Sequence, residues 1–221
     1  MMTKPGAIFD CDGTLLDSIP AWRGLENHLC GLCGGQVTED DRALLVTFTI
    51  EETARWFHET QGLGKSVRHA LSMMDEYLLA EYARAKLLPG AVEFLEACAR
   101  DGITMSVASS SPASYLKAGL GAAGVSDYFA AVLSVDDLNT TKREPLVYHR
   151  ALEIMGTDKG ATWGFEDSSY AMATLKRAGY KVVGVTGGGE ASLRELEGLG
   201  DLAPDVQIDD FTELEPSRLW A

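Results

Sequence analysis

Asp10-Cys11-Asp12-Gly13-Thr14 places two carboxylates two residues apart, directly after the apolar run Gly6-Ala7-Ile8-Phe9. The run reads as a buried strand. Acids at its tip point to chemistry, because the carboxyl ends of strands in an open parallel α/β sheet face the ligand crevice. Strand alternation would turn Asp10 and Asp12 to one side and Cys11 to the other. Gly13 lets the backbone turn close to a ligand, and Thr14 adds a local hydroxyl. Three later strand ends carry the groups that such a dicarboxylate needs for phosphoryl transfer. Ser109-Ser110-Ser111-Pro112 is a hydroxyl-rich turn opening a helix, where hydroxyls and N–H groups can bind an oxyanion. Lys142 follows the third apolar run, and Thr162-Trp163-Gly164-Phe165 ends in a second acidic pair, Glu166-Asp167.

The elements that must position these groups fall into two classes. After Thr14 the pattern turns helical until Pro89-Gly90, with helices expected at about Ser18–Cys30, Glu39–Val46, Ile50–Thr60 and Ser66–Ala85 and a loop at Gly31-Leu32-Cys33-Gly34-Gly35. From Pro89 onward, helices at about Ala91–Arg100, Ala113–Ala122, Leu146–Met155, Tyr170–Arg177 and Ala191–Leu199 alternate with short apolar runs. Those runs are Ile103–Ala108, Val132–Val135, Thr162–Phe165, Val182–Val185 and Val206–Ile208, the pattern of a parallel sheet covered on both faces. The expected fold is therefore α/β, a doubly wound Rossmann-like core formed by residues 1–16 and 89–221, with an inserted helical cap at residues 17–88. Residues 215–221 show no clear period and are expected to form a surface tail, with Trp220 either packed or loose.

With 221 residues, 46% hydrophobic and 24% charged, the chain can bury a sizeable core. No apolar run is long enough to span a membrane and no secretory leader is evident, so a cytoplasmic location is expected. Four cysteines in this length do not suggest a disulfide framework. The net charge of −14 argues against nucleic acid or an anionic membrane as partner. It leaves room for a small anionic substrate, since a local cation and backbone N–H groups act at short range. Cys30 and Cys33 lack a second pair for zinc. Gly187-Gly188-Gly189 lacks the lysine of a phosphate loop and reads as a turn. The four histidines show no metal-ligand spacing.

The four strand-end motifs, in this order, resemble those of the haloacid dehalogenase superfamily in its phosphatase branch with a helical cap, over nearly the whole chain. The resemblance implies that Asp10 is the nucleophile, forming an aspartyl-phosphate and binding Mg²⁺. It implies that Asp12 acts as general acid and then base while its carbonyl binds the metal, and that Ser109 bonds a phosphoryl oxygen. Lys142 would balance charge, Asp167 would complete the metal site, and Glu166 would lie in or just behind it. Gly13, Thr14 and Ser110 would join Asp10, Ser109 and Lys142 around the substrate phosphate. An all-oxygen site of this kind suits Mg²⁺. Members commonly carry Lys-Pro-x-Pro-x-x-Tyr, where this chain has Lys142-Arg143-Glu144-Pro145-Leu146-Val147-Tyr148. Asp12 disfavours dehalogenation, which lacks that acid, and the segment before Lys65 offers no lysine for a phosphonate-cleaving Schiff base. A β-phosphoglucomutase-like mutase is the alternative, though Trp22 stands where those enzymes have histidine and Val46-Thr47-Phe48-Thr49 offers no basic loop. A non-catalytic phospholigand-binding protein is the alternative of another class, and it has no need of Asp12 as an acid. The partner expected is a small phosphorylated metabolite, with a monomer plausible. Trp22, Arg23, Arg42, Thr47, Arg55, Trp56 and Lys65 are the candidates for leaving-group selection.

Overall fold

The structure is a computed structural model that describes residues 3–45, 48–187, 196 and 198–220. It divides into two compact units, one formed by Met1–Asp17 with Ala85–Ala221 and the other by Ser18–Arg84.

The first unit is built on a six-stranded parallel sheet. Its strands are β1 (Gly6–Phe9), β2 (Thr104–Ser109), β3 (Phe129–Ser134), β4 (Thr162–Glu166), β5 (Lys181–Val185) and β6 (Val206–Ile208). They lie in the order β3-β2-β1-β4-β5-β6. The chain order reverses direction across the sheet at β1, which pairs with β2 on one side and β4 on the other. Ligands of open α/β sheets bind at such a switch point. Both faces are covered, and successive residues of β1 serve opposite layers. Phe9 stacks on Phe165 at 4.4 Å between ring centroids and meets Phe94 edge-on at 6.3 Å, with Phe211 closing the aromatic cluster. Ile8 instead joins Val147, Tyr148, Ala151, Met172 and Leu175, from helices α7 (Leu146–Met155) and α8 (Ser169–Arg177), on the other face. The remaining described α-helices of this unit are α5 (Ala91–Arg100) and α6 (Ala113–Ala122).

The helical unit contains α1 (Ile19–Cys33), α2 (Glu39–Leu45), α3 (Ile50–Gln61) and α4 (Val67–Tyr82). A capping box of Thr49 and Glu52 starts α3, and Gly62 ends it in the left-handed conformation. Leu25 and Leu29 on α1, Phe57 on α3 and Met74 and Leu78 on α4 are buried, and these three helices pack on one another.

Two expectations need correction, and one open alternative is decided. β1 stops at Phe9, so strand alternation does not orient Asp10 and Asp12; a turn does. The loop expected at 31–35 is mostly helix, since α1 continues to Cys33 and stops only where Gly34 takes φ 70°. In the C-terminal tail Trp220 takes the packed alternative: its Nε1 donates to the Ala161 carbonyl at 2.8 Å, Leu219 is buried, and Trp163 Nε1 donates to the Leu219 carbonyl, while Glu215, Ser217 and Arg218 stay exposed. The helix expected at Ala191–Leu199 falls mostly outside the described residues, as do Val46, Thr47, Gly188 and Gly189.

Candidate active site

Three central strands deliver their last residues to one place. Asp10 immediately follows β1 and is anchored there by its N–H, which donates to the Phe165 carbonyl of β4 at 2.9 Å. The chain then doubles back: Leu15 and Leu16 both donate to the Cys11 carbonyl, and Gly13, at φ 75°, donates to the Leu16 carbonyl. Such a φ is open to glycine without the steric cost a side chain incurs. The turn buries Cys11 and Thr14 and leaves Asp12 half-buried.

Lys142 is the hub of the buried part. Its side chain is 2% exposed, and its Nζ donates to Asp10 Oδ1 and, at 2.7 Å, to Glu166 Oε1. Tyr148 on α7 donates a third bond, to the same Glu166 oxygen at 3.0 Å. The loop bearing Lys142 is held by a turn from the Thr141 carbonyl to the Glu144 N–H and by Thr141 Oγ1 accepting from the Arg143 N–H. A proline at 143 has no N–H for the second bond. Arg143 also lays its guanidinium 4.7 Å from the centre of the Tyr170 ring, tying this loop to α8.

Charge at this point is unbalanced. Ligand oxygens of Asp10, Glu166 and Asp167 all lie within 4.8 Å of one another, against the single lysine. Burial pushes the Asp10 carboxyl well above the usual range, Lys142 pulls it back, and the neighbouring carboxylates of Glu166, Asp167 and Asp12 add to the rise. Burial likewise raises Glu166 and Asp167. Burial alone would lower Lys142, yet Asp10 and Glu166 outweigh it and hold the ammonium protonated. Glu166 Oε2 is buried with no hydrogen-bond partner, as is Thr14 Oγ1. An orphaned carboxylate oxygen beside two further carboxylates fits a hard divalent cation, which takes oxygen ligands and offsets the excess negative charge.

Asp12 belongs to a separate hydrogen-bonded set. Ser111 Oγ donates to its Oδ2 at 2.7 Å and Ser109 Oγ to the same oxygen at 3.3 Å, while the Ser111 N–H donates to Ser109 Oγ. Ser109 ends β2 and Ser111 lies in the short link into α6, whose N-terminal N–H groups favour an anion nearby. Ser110, expected at the phosphate, has an exposed side chain, whereas Ser111 is buried against Asp12. Ser111 and Tyr148 are the two side chains that reading strand ends overlooks. Both stand inside the quoted motifs, one on a turn and one on a helix, and only three-dimensional contact reveals what they touch.

In the helical unit, three of the candidates for leaving-group selection are engaged with neighbouring side chains. Arg42 forks onto Glu26, Arg55 lies 3.7 Å from Glu59, and Trp22 Nε1 donates to the Tyr82 hydroxyl at 2.8 Å. Arg23 and Lys65 are exposed.

Residues 7–185 match the family model described as haloacid dehalogenase-like hydrolase. The chain belongs to that family. Probable phosphatase IndB of Dickeya dadantii is 29% identical over 225 residues, covering 96% of this chain and 92% of that protein. A phosphoglycolate phosphatase of Rhodospirillum rubrum is 30% identical over 224 residues, covering 94% and 88%. The crystal structure of a putative β-phosphoglucomutase from Thermotoga maritima superposes with a TM-score of 0.78 at 22% identity, covering 97% and 98%, and so shares the fold.

Proposed function

We propose that this haloacid dehalogenase-like protein is a Mg²⁺-dependent hydrolase of small phosphomonoesters that works through a phosphoaspartate on Asp10. Curated relatives that are named as phosphatases include hexitol phosphatase B and phosphoglycolate phosphatase. The observation that carries the reading is the separation of two neighbouring carboxylates into different surroundings, Asp10 buried against Lys142 and Asp12 half-buried under two serine hydroxyls. Neighbouring acids whose environments differ in this way can divide nucleophilic and proton-transfer work.

Asp10, through a carboxylate oxygen, attacks phosphorus; the bond from phosphorus to the leaving oxygen breaks, and Asp12 delivers its proton to that oxygen. Asp12, now a carboxylate, takes a proton from the water that attacks the phosphoaspartate, releasing phosphate and restoring Asp10. Lys142 holds Asp10 in place and balances charge, and Ser109 with the N–H groups at the start of α6 steadies the phosphoryl oxygens. Asp10, Asp167, the Asp12 carbonyl and the free Glu166 oxygen are the groups to hold Mg²⁺. When bound, that ion neutralises charge between the acids and the phosphoryl group.

The test is release of inorganic phosphate from a panel of sugar phosphates and phosphoglycolate, with Mg²⁺ and with chelator, for wild type and Asp10→Asn. Metal-dependent release that disappears in Asp10→Asn is the expected outcome. Folded wild-type protein releasing no phosphate from any ester defeats the proposal. Release only alongside transfer to a second sugar hydroxyl would mean a mutase.

A further inference from the structure

Cys30-Gly31-Leu32-Cys33 is a motif that the phosphatase reading leaves unused. Both cysteines sit in the last turn of α1, Cys33 as its final residue, and both are half-buried, whereas Cys11 and Cys98 are sealed in the core. The chain folds back over the pair. Gly34 returns its N–H to the Cys30 carbonyl at 2.8 Å, and Gly35 passes so near that a Cβ there would lie 3.1 Å from Cys33 Sγ. Gln61 of α3 pins the next residue from both sides, accepting from the Gln36 N–H at 3.2 Å and donating to the Gln36 carbonyl at 3.0 Å. Burial, Cys33 and Glu26 raise the Cys30 pKa, and Arg42 and the Val37 N–H oppose the rise. Cys33 donates its S–H to the Leu29 carbonyl at 3.1 Å, a weak bond that a better partner can replace.

Helix geometry decides what such a pair can hold. Residues three apart on a helix have Cβ atoms about 5–6 Å apart, while a disulfide needs roughly 3.5–4.5 Å. Direct S–S bonding would therefore distort the turn. One atom between the sulfurs fits without that change, since two metal–thiolate bonds of about 2.3 Å each span up to about 4.6 Å. Among the described residues no third His, Cys, Asp or Glu forms a cluster with this pair, and Glu26 is held by Arg42. A four-coordinate or hard ion is short of ligands here, whereas two sulfur donors suit a soft ion of low coordination number. We propose that Cys30 and Cys33 form a two-thiolate site for Cu(I). As the ion binds, each thiol gives its proton to solvent and two S–Cu bonds form, with no change of oxidation state. The bound group carries one net negative charge, which Arg42 lies near enough to offset. The site needs no phosphate ester and no turnover, so it stands apart from the phosphatase reading.

The experiment titrates Cu(I) into the reduced full chain under nitrogen, in competition with bicinchoninate, a coloured Cu(I) chelator. Wild type is expected to withhold one equivalent, and Cys30→Ser and Cys33→Ser are each expected to weaken that binding at least about tenfold. Cys98→Ala is expected to leave it unchanged. Bound copper is also expected to shield Cys30 and Cys33 from iodoacetamide, and copper K-edge absorption to show two sulfur neighbours. Folded wild type that yields all its copper to bicinchoninate overturns the proposal, as does undiminished retention by either folded serine variant. Should a serine variant fail to fold, alkylation of wild type decides: cysteines 30 and 33 that react equally with and without copper place the ion elsewhere and defeat the proposal.

Discussion

Ser111 shows how much a single hydroxyl can decide. Three consecutive serines look interchangeable as a string, but Ser111 is the one at 2.7 Å from Asp12, and Ser110 points to solvent. Ser111→Ala is expected to lower kcat by about tenfold or more with little change in KM, since one hydrogen bond orienting the acid is worth about 1.4 kcal/mol. Ser110→Ala is expected to stay within about twofold of wild type, as exposed substitutions usually do. Steady-state kinetics on whichever ester proves best will read both. His149 offers a separate, non-catalytic test. Burial, helped by Lys159, lowers its pKa, and its Nδ1 lies 2.9 Å from the Tyr180 hydroxyl. The fold therefore prefers the neutral ring. Its contribution is complete above the ordinary histidine pKa of about 6.5 and is lost as pH falls through the lower folded value. Urea denaturation between those limits should show stability declining with acid, and His149→Gln should flatten that part of the slope.

At the scale of elements, the junction before α5 is the place where backbone geometry permits least. Gly90 caps α5 at φ 74°, and a Cβ there would lie 2.5 Å from the Thr212 nitrogen and 2.7 Å from the Phe211 carbonyl carbon. Those are backbone atoms of the segment that carries Phe211 into the aromatic cluster, so the contact has no flexible side chain to yield. Gly90→Ala is expected to cost about 2 kcal/mol or more, from the left-handed φ and the clash together. Chemical denaturation will measure it, and an unchanged midpoint would mean that the two segments separate freely. The same junction explains why the last residues are ordered: once Phe211 is seated, Leu219 and Trp220 fall against β4 and its approach.

For the molecule as a whole, charge is the governing quantity. A chain of net charge −14 concentrates Asp10, Glu166 and Asp167 around one lysine, an arrangement that resists full ionisation. A divalent cation that binds only the folded chain should stabilise it by about 2.7 kcal/mol at a hundred times its Kd. Thermal unfolding with and without Mg²⁺, at matched ionic strength, should show the rise in Tm for wild type and its loss in Asp167→Ala. Equal shifts in both proteins would place the cation elsewhere.

The alternation of apolar runs and amphipathic helices determined the fold class by itself, because a strand buried on both faces and a helix buried on one leave periodic marks that need no partner to be read. The four strand-end motifs likewise made the family legible, since acids, a hydroxyl-rich turn and a lysine at successive strand ends form a pattern along the chain. What lies between strand and ligand was decided only in three dimensions. The turn after Phe9, not strand alternation, orients Asp10 and Asp12, because β1 has already ended and backbone hydrogen bonds to Cys11 and Leu16 take over. Ser111 and Tyr148 acquire partners 99 and 18 residues away, and no local propensity encodes such a contact. The pairing of Arg42 with Glu26 arises from α1 and α2 meeting, and meeting is a property of the fold.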